Sequence, residues 1–183
     1  TSITNSVPQN LTGYWLKKGS DSEVSNVGYN NAFMTDYPCV LIRLADLYLM
    51  KAEAWNEYLA VPDEEHVYAP LNEVRRRAGI PDVKEAWKTY AKNPGKVATK
   101  EGMREIIHRE WDIEFAFEGR RFWNLRRWLT AVDELNEEQY GWNIVGRNAR
   151  EFYNNFKEPV MVWAKRKFIS PRDYLFPLQS EEV

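Results

Sequence analysis

The sequence predicts an all-α fold, an α-solenoid-like array of helix pairs with long coil-rich loops and a coil-rich C-terminal tail. The stretch CVLIRLADLYLMKAEAWNEYL is apolar on most sides over about twenty residues, which is typical of a helix packed between neighbours. Glycines end or interrupt the later helical stretches, so that the helices form two pairs with short connections. Gly, Asn and Pro residues are spaced too closely after Leu135 for long helices.

Start and stop signals give the order of the elements. Pro38 ends a lead-in rich in Ser, Asn and Gly, in which only TGYWLKK suggests a short strand. Gly79 followed by Pro81 stops the second helix, a Lys-rich polar linker comes next, and Gly119 separates the third helix from the fourth. Short strands are expected near VMVWAKRKF. The predicted helices cover about residues 39–59, 69–78, 100–118 and 120–132.

Length and composition favour one domain with a well-filled core, because 183 residues with 44% hydrophobic side chains can bury a sizeable interior. The expected parts of this domain are a loop-rich lead-in (residues 1–38), a helical scaffold (39–135) and a coil-rich tail (136–183). On the first helix, a broad apolar stripe is expected to face the core; it contains Leu41, Leu44, Ala45, Tyr48, Ala52 and Trp55.

Charge and cysteine content narrow the classes of function. The formal net charge of -2 lacks the basic excess with which proteins attract nucleic acids or anionic membranes. The single cysteine, Cys39, cannot form an internal disulfide and is interpreted as a small core residue. No apolar run approaches the roughly twenty residues of a membrane span, and the first residues lack the regions of a signal peptide.

The stretch REWDIEFAFEGRRFWNLRRW combines acidic, basic and aromatic side chains. Glu110, Glu114 and Glu118 lie four residues apart in the middle of an apolar helix side, which contains Met103, Ile106, Ile107, Trp111, Ile113, Phe115 and Phe117. Buried carboxylates need partners with several donors, and arginine has five. The sequence therefore predicts an internal Arg–Glu lattice, with Phe122, Trp123 and Trp128 packed around it. Its predicted members are Arg43, Glu110, Glu114, Glu118, Arg120, Arg121, Arg126 and Arg127.

Three functional interpretations of the charged residues compete with this structural one. A glycosidase needs two carboxyls facing each other across an open cleft, and a nucleic-acid platform needs arginines without compensating acids. Neither fits three glutamates interleaved with arginines. The pairs Glu105-x-x-His108 and Asp63-x-x-His66 have the spacing of a di-iron site. We interpret this spacing as chance, because Glu105 and His108 are expected on the polar side of their helix and Asp63 to His66 in a loop. No phosphate-binding loop, nucleophile elbow or Cys/His triad is present, so neither catalysis nor a cofactor is expected.

Four motifs in a fixed order resemble the C-terminal half of the SusD/RagB family of Bacteroidetes. They are YPCVLIRLADLYLMKAEAWNE, LNEVRRRAGIP, EIIHREWDIEFAFEGRRFWNLRRW and RKFISPRDYLFPLQSEEV, and TGYWLKK is similar to the segment that precedes them in that family. The resemblance implies a scaffold of tetratricopeptide-like helix pairs and a non-catalytic protein that binds glycans or other nutrients. It further implies an outward-facing lipoprotein of the outer membrane that acts as a lid on a SusC-like TonB-dependent transporter.

The sequence departs from the family pattern at its N-terminus. The lipid-anchoring cysteine of the family has no counterpart here, because Cys39 lies at a helix start. We therefore expect this chain to be a C-terminal portion, with the anchor and most ligand-contacting loops upstream of Thr1. No ligand residue can be transferred from the family one by one.

The glycan candidates rest on physical inference alone, since sugars stack their apolar faces on aromatic rings. Aromatic residues in loop-like, polar surroundings are the candidates: Trp15, Tyr29, Trp87, Tyr90, Tyr140 and Trp142. Two functions stay open at this point. One is a glycan-binding component of a TonB-dependent import system, and the other is a helical protein-interaction scaffold with no ligand site of its own in this chain.

Overall fold

The computed structural model describes Leu16, Lys18 and residues 40–161 and 166–175. This part of the chain is mainly helical, with seven α-helices and one pair of two-residue strands, so the predicted all-α class is confirmed. The chain divides into two compact units, Asp21–Arg121 and Thr1–Ser20 with Phe122–Val183. We call their described parts the helical unit (residues 40–121) and the tail unit (122–161 and 166–175). The predicted strand at TGYWLKK and Cys39 lie outside the described residues, apart from Leu16 and Lys18.

The helical unit contains four α-helices and two shorter helical segments. A π-helical turn, Glu64–Tyr68, leads directly into the second helix, and a 3₁₀ helix, Pro94–Ala98, precedes the fourth. The α-helices are α1 (Leu44–Tyr58), α2 (Ala69–Arg77), α3 (Val83–Tyr90) and α4 (Lys100–Glu114).

The core of the helical unit lies where α1 packs against α2, α4 and the π-helical turn. Its apolar side chains are buried, and they are Ala45, Leu49, Ala52, Val67, Tyr68, Leu71, Val74, Val83, Met103, Ile106, Ile107, Trp111 and Phe115. Buried amides tie the helices together. Asn72 Oδ1 accepts a hydrogen bond from the amide of Val83 at 2.9 Å, and Asn56 Nδ2 donates to the carbonyl of Lys100 at 3.0 Å. These bonds satisfy the Oδ1 of Asn72 and the Nδ2 of Asn56, which would be costly to bury alone.

Helix α1 differs from its prediction in length and in orientation. It begins at Leu44, and the preceding residues Val40 to Arg43, which were expected to be helical, are not. The side chains of Leu41 and Leu44, which the predicted stripe placed in the core, are exposed, as are Leu47 and Met50. The buried face carries Ala45, Leu49 and Ala52 beside three polar residues, Asp46, Glu53 and Asn56. The prediction of the apolar stripe was partly wrong. Both faces of this helix carry apolar residues, so periodicity alone cannot show which face is buried.

The remaining helix boundaries also differ from the expected ones. The polar linker after Gly79 contains α3, whose Val83 is buried. Helix α4 ends at Glu114 rather than at residue 118, and Phe117 adopts a left-handed φ of 65°. The last predicted helix is broken into two short ones, since Leu129 has a φ of 60°. Left-handed residues cannot continue a right-handed helix.

The tail unit is built from short elements. Helix α5 (Arg120–Arg127) contains the boundary between the two units, after Arg121. The elements that follow it are α6 (Ala131–Leu135), β1 (Tyr140–Gly141), α7 (Ala149–Phe152) and β2 (Val160–Met161). Short 3₁₀ turns are assigned at Asn154–Phe156 and Arg172–Tyr174. Strand β2 agrees with the predicted strand near VMVWAKRKF. The solenoid arrangement and the single domain stay predictions.

The closing segment is held to the start of the tail unit by hydrogen bonds to its main chain. Asn136 Oδ1 accepts from the amide of Phe168 at 2.8 Å, and Asn136 Nδ2 donates to the carbonyl of the same residue at 3.0 Å. Arg126 donates to the carbonyl oxygens of Asp173, at 2.7 Å, and Tyr174. No helix in the described part of the chain has the length and apolar character needed to cross a membrane.

Candidate functional site

Arg43 joins the start of α1 to the end of α4. Its Nη1 donates to Glu114 Oε1 at 2.7 Å, while Nε and Nη2 donate to the two carboxylate oxygens of Glu118 at 2.8 and 2.9 Å. The guanidinium also lies 4.2 Å from the ring centroid of Phe115. The paired acids raise the pKa of Arg43 despite the opposing effect of its burial. Arg43 is therefore a charged cross-link between two helices.

The inner carboxylates of α4 are paired with two arginines of α2 that the sequence prediction did not include. Glu110 is paired with Arg75, and both side chains are almost fully buried. Glu114 accepts from Arg77 at 2.6 Å as well as from Arg43. Burial raises the pKa of Glu110 although Arg75 lowers it. Removal from water and the neighbouring carboxylate of Glu114 thus both act against the charged form of Glu110, even beside its arginine partner.

The other predicted members of the lattice have different partners. Arg120 donates to Asp46 Oδ2 at 3.1 Å, and Arg121 lies 2.5 Å from Asp112 Oδ2. In the tail unit, Arg126 donates to the main chain of the closing segment, and Arg127 donates to Asn124 Oδ1 at 3.3 Å. Ile113 and Phe117, expected on the apolar side of the helix, are exposed, as are Phe122 and Trp123, which were expected to pack around the lattice. Phe122 still contacts one predicted member, since the guanidinium of Arg126 lies 5.2 Å from its ring centroid.

The two histidines take part in pairs rather than in a recognisable metal site. Asp63 caps the π-helical turn, since its Oδ1 accepts from the amide of His66 and its Oδ2 lies near His66 Nδ1, both at 2.7 Å. The segment around Asp63, expected to be a loop, is thus helical. His108 Nε2 lies 3.8 Å from Glu53 Oε1 and is partly buried, not on the polar side of α4. Among the described residues, no group of three or more His, Cys, Asp or Glu is placed to hold a metal.

The aromatic candidates for glycan binding do not form one site in the described structure. Trp87 and Tyr90 lie on α3, where Tyr90 is exposed and the ammonium of Lys96 lies 5.7 Å from the Trp87 ring centroid. Tyr140 is exposed and donates to Glu138 Oε2 at 2.8 Å, a bond that raises its pKa. Trp142 is partly buried. Trp15 and Tyr29 lie outside the described residues.

Trp142 opens a loop that the two short strands close at its base. In these antiparallel strands Tyr140 pairs with Met161 and Gly141 with Val160. The chain between them, residues 142–159, leaves the strand pair and returns to it. We call this segment the aromatic loop.

The first half of the aromatic loop is ordered by local hydrogen bonds. Asn148 Oδ1 accepts from the amide of Glu151 at 3.0 Å, and Glu151 Oε2 accepts from the amide of Arg147 at 2.8 Å. These bonds form the N-terminal cap of α7. The amide of Asn143 donates to the carbonyl of Phe152 at 3.0 Å. Gly146 passes so close to α7 that a Cβ there would lie 2.6 Å from the amide nitrogen of Phe152.

The second half of the aromatic loop presents a cluster of rings. Trp142 and Phe152 meet the ring of Tyr153 edge to face, at centroid distances of 5.4 and 4.9 Å. Phe156 lies nearly parallel to Tyr153, with an interplanar angle of 24° and a centroid distance of 6.0 Å. Phe156 is 70% exposed and Tyr153 41% exposed. The sequence analysis selected Trp142 and missed the two exposed rings.

An unusual backbone holds these rings in place. Asn154, Asn155 and Phe156 have φ values of 49°, 58° and 60°, so three consecutive residues occupy the left-handed region. Asparagine tolerates this region, but phenylalanine rarely adopts it. The amide of Phe156 donates to the carbonyl of Tyr153 at 2.9 Å and stabilises the turn.

Comparisons with known proteins agree with the helical architecture. The model of the SusD family matches residues 1–183. SusD-like protein P25 of Formosa agariphila is 28% identical over 156 residues, which are 84% of this chain and 28% of that protein. The chain thus spans less than a third of the length of this curated relative. No solved structure matches it at a significant level. Because the family model covers the whole sequence, the chain belongs to the SusD family.

Proposed function

We propose that this chain is part of a nutrient-binding protein on the outer-membrane surface, which captures glycans for a SusC-like TonB-dependent transporter. The family match over residues 1–183 is the observation that carries the proposal. The family resemblance implies the remaining features: an outward-facing position and attachment to the membrane through an N-terminal lipid.

The pairing of Glu110 and Glu114 with arginines supports a function in binding rather than in catalysis. Glycoside hydrolysis requires two carboxyl groups on either side of a bound sugar. Glu110 and Glu114 are instead engaged by arginines inside the helical unit. Their role is to hold α4 against α1 and α2. The proposed protein therefore delivers its ligand without altering it chemically.

The proposal is tested with the intact protein that contains this chain. Affinity electrophoresis through gels containing amylopectin, laminarin, xylan, galactomannan or pectin measures glycan binding. Co-purification from outer membranes measures association with a TonB-dependent transporter. We expect retardation by at least one polysaccharide, no release of reducing sugar from it, and recovery of a transporter. A protein that is retarded by none of the five polysaccharides contradicts the proposal.

The second candidate function, a helical interaction scaffold without a ligand site in this chain, is favoured by the outer face of α1. Leu44, Leu47 and Met50 are exposed there, opposite the buried face of the same helix. Apolar surface of this kind is typical of contact with another protein element. Recovery of a protein partner without retardation in any glycan gel would favour this candidate.

A further inference from the structure

We propose that Tyr153 and Phe156 form a carbohydrate subsite, in which one pyranose ring stacks on the exposed aromatic surface of the tail unit. This inference rests on the proposed function and deepens it, because it assigns residues to the ligand. Four features of the aromatic loop lead to it: the exposure of the rings, their presentation, their support and their polar surroundings.

Within this chain, neither ring is part of the hydrophobic core. Phe156 leaves 70% of its surface in water, although burying a phenylalanine side chain is worth about 1.5–3 kcal/mol. Tyr153, the ring beside it, is also exposed. Phe156, whose ring lies nearly parallel to that of Tyr153, offers an apolar face of the kind on which the C–H face of a pyranose packs.

The presentation of Phe156 depends on the left-handed turn. A left-handed conformation costs a non-glycine residue roughly 1–2 kcal/mol, and Phe156 follows two further residues in the same conformation. Such strain persists only where the surrounding structure determines it. Here the turn places an aromatic ring that is mostly exposed, so burial offsets only a small part of this cost.

The rings are supported by neighbouring side chains and by the strand pair. Trp142 and Phe152 hold Tyr153 from its sides, and the strand pair closes the loop at its base. A subsite that is already ordered loses little conformational entropy when a ligand binds. The aromatic loop is thus pre-organised for stacking.

Polar groups surround the exposed ring. A shallow, open pocket is lined by Phe156 together with Asn154, Lys157, Glu158 and Pro159. The amide, ammonium and carboxylate groups can donate to and accept from sugar hydroxyls. Since one cationic and one anionic side chain flank the ring, the pocket suits a neutral, hydroxyl-rich ligand better than a strongly charged one.

The test compares two phenylalanines in the intact protein. Phe156→Ala removes the proposed stacking surface. Phe117→Ala is the matched control, because Phe117 is also highly exposed, at 78%, and also left-handed, with a φ of 65°. Phe156→Trp keeps an aromatic surface at the site. Each variant is run in the affinity gels described above, and isothermal calorimetry with an oligosaccharide of the retarding polysaccharide gives its Kd.

We expect Phe156→Ala to weaken glycan binding about five- to tenfold, the effect of an aromatic contact worth about 1–1.4 kcal/mol. Phe117→Ala and Phe156→Trp should bind nearly as well as the unmodified protein. Glycan binding that survives Phe156→Ala, or that Phe117→Ala weakens equally, overturns the subsite while the proposed function stands. If the unmodified protein binds no glycan, the proposed function and the subsite both fail.

Discussion

Replacing Glu110 by alanine tests whether the ion pairs lie inside the helical unit. The side chain of Glu110 is 12% exposed, and its partner Arg75 is similarly buried. The substitution leaves the guanidinium of Arg75 without its carboxylate, and breaking one partner of a buried pair costs about 3–5 kcal/mol. Arg75 Nε keeps its hydrogen bond to the carbonyl of Pro81 at 2.8 Å. We therefore expect a loss near the lower limit, about 3 kcal/mol.

The same substitution at Glu114 should cost less, although its side chain is only 9% exposed. Its partner Arg77 is largely exposed and can return to water. Arg43 retains both hydrogen bonds to Glu118. One charge-assisted hydrogen bond is then the main loss, and we expect Glu114→Ala to cost about 1.5–2 kcal/mol.

Glu105 on the same helix provides the control. Its side chain is 66% exposed, and its ion pair with Lys96 lies at the surface. Exposed pairs of this kind contribute little, so Glu105→Ala should cost within about 0.5 kcal/mol. All three variants replace the same residue type on α4, so differences in helix propensity largely cancel.

Urea unfolding followed by tryptophan fluorescence and circular dichroism measures the three free energies of unfolding. With an m-value of about 2 kcal/mol/M, the loss expected for Glu110→Ala lowers the midpoint by about 1.5 M. The expected order of destabilisation is Glu110, then Glu114, then Glu105. Equal midpoints for Glu110→Ala and Glu105→Ala would show that Glu110 is not buried, and the reasoning from the ion pairs would be refuted.

Two further predictions concern pH and backbone packing. A hydrogen bond from Arg104 lowers the pKa of Glu57. The contribution of Glu57 to the stability of the fold is therefore complete above its ordinary pKa of 4.5 and is lost as pH falls through the lowered pKa. Burial raises the pKa of Glu110, so its contribution is largest below 4.5 and declines as pH rises through the raised pKa. Urea unfolding across about pH 3 to 7 measures the free energy of unfolding of Glu57→Gln and of Glu110→Gln relative to the unmodified protein. The loss caused by Glu57→Gln should grow as pH rises, and the loss caused by Glu110→Gln should shrink. Trends in the same direction contradict this reasoning. A Cβ on Gly102 would meet the Thr99 hydroxyl at 2.7 Å and a main-chain oxygen of the preceding 3₁₀ helix, so Gly102→Ala should cost about 1–3 kcal/mol despite its better helix propensity. Gly95→Ala, with only an ordinary contact at 3.6 Å, should be nearly neutral, and equal melting temperatures for the two variants would contradict the clash.

The helices could be predicted where one local signal dominates. Gly79 and Pro81 give the end of α2 to within one residue, because their backbone preferences do not depend on tertiary contacts. The start of α1 could not be predicted in this way. The residues before Leu44 are as apolar as those after it, and the helix begins where Asp46 accepts a hydrogen bond from the amide of Arg43 at 2.9 Å.

The sequence predicted that the glutamates pair with arginines, but it did not predict which arginines. The spacing of the glutamates on α4 indicates that they point inward, and burial then demands arginines. Which arginines supply the charge depends on how helices distant in sequence meet. Arg75 and Arg77 lie on α2, whose packing against α1 brings them to the glutamates of α4. Proximity in sequence pointed instead to Arg126 and Arg127.

The two exposed rings of the aromatic loop escaped prediction for a conformational reason. Asn154 and Asn155 are the only local signal, since asparagine tolerates left-handed φ values, and two in succession are equally common in ordinary turns. Nothing in the identity of Phe156 indicates that it continues the left-handed run. Phe156 lies in a loop closed by the paired strands, a contact between residues about twenty positions apart that the local sequence does not indicate. Phe117 is also left-handed and exposed, so these two properties alone do not assign a function. What distinguishes Phe156 is the near-parallel ring of Tyr153 beside it, and this pairing directs the search for its function to contacts outside the chain.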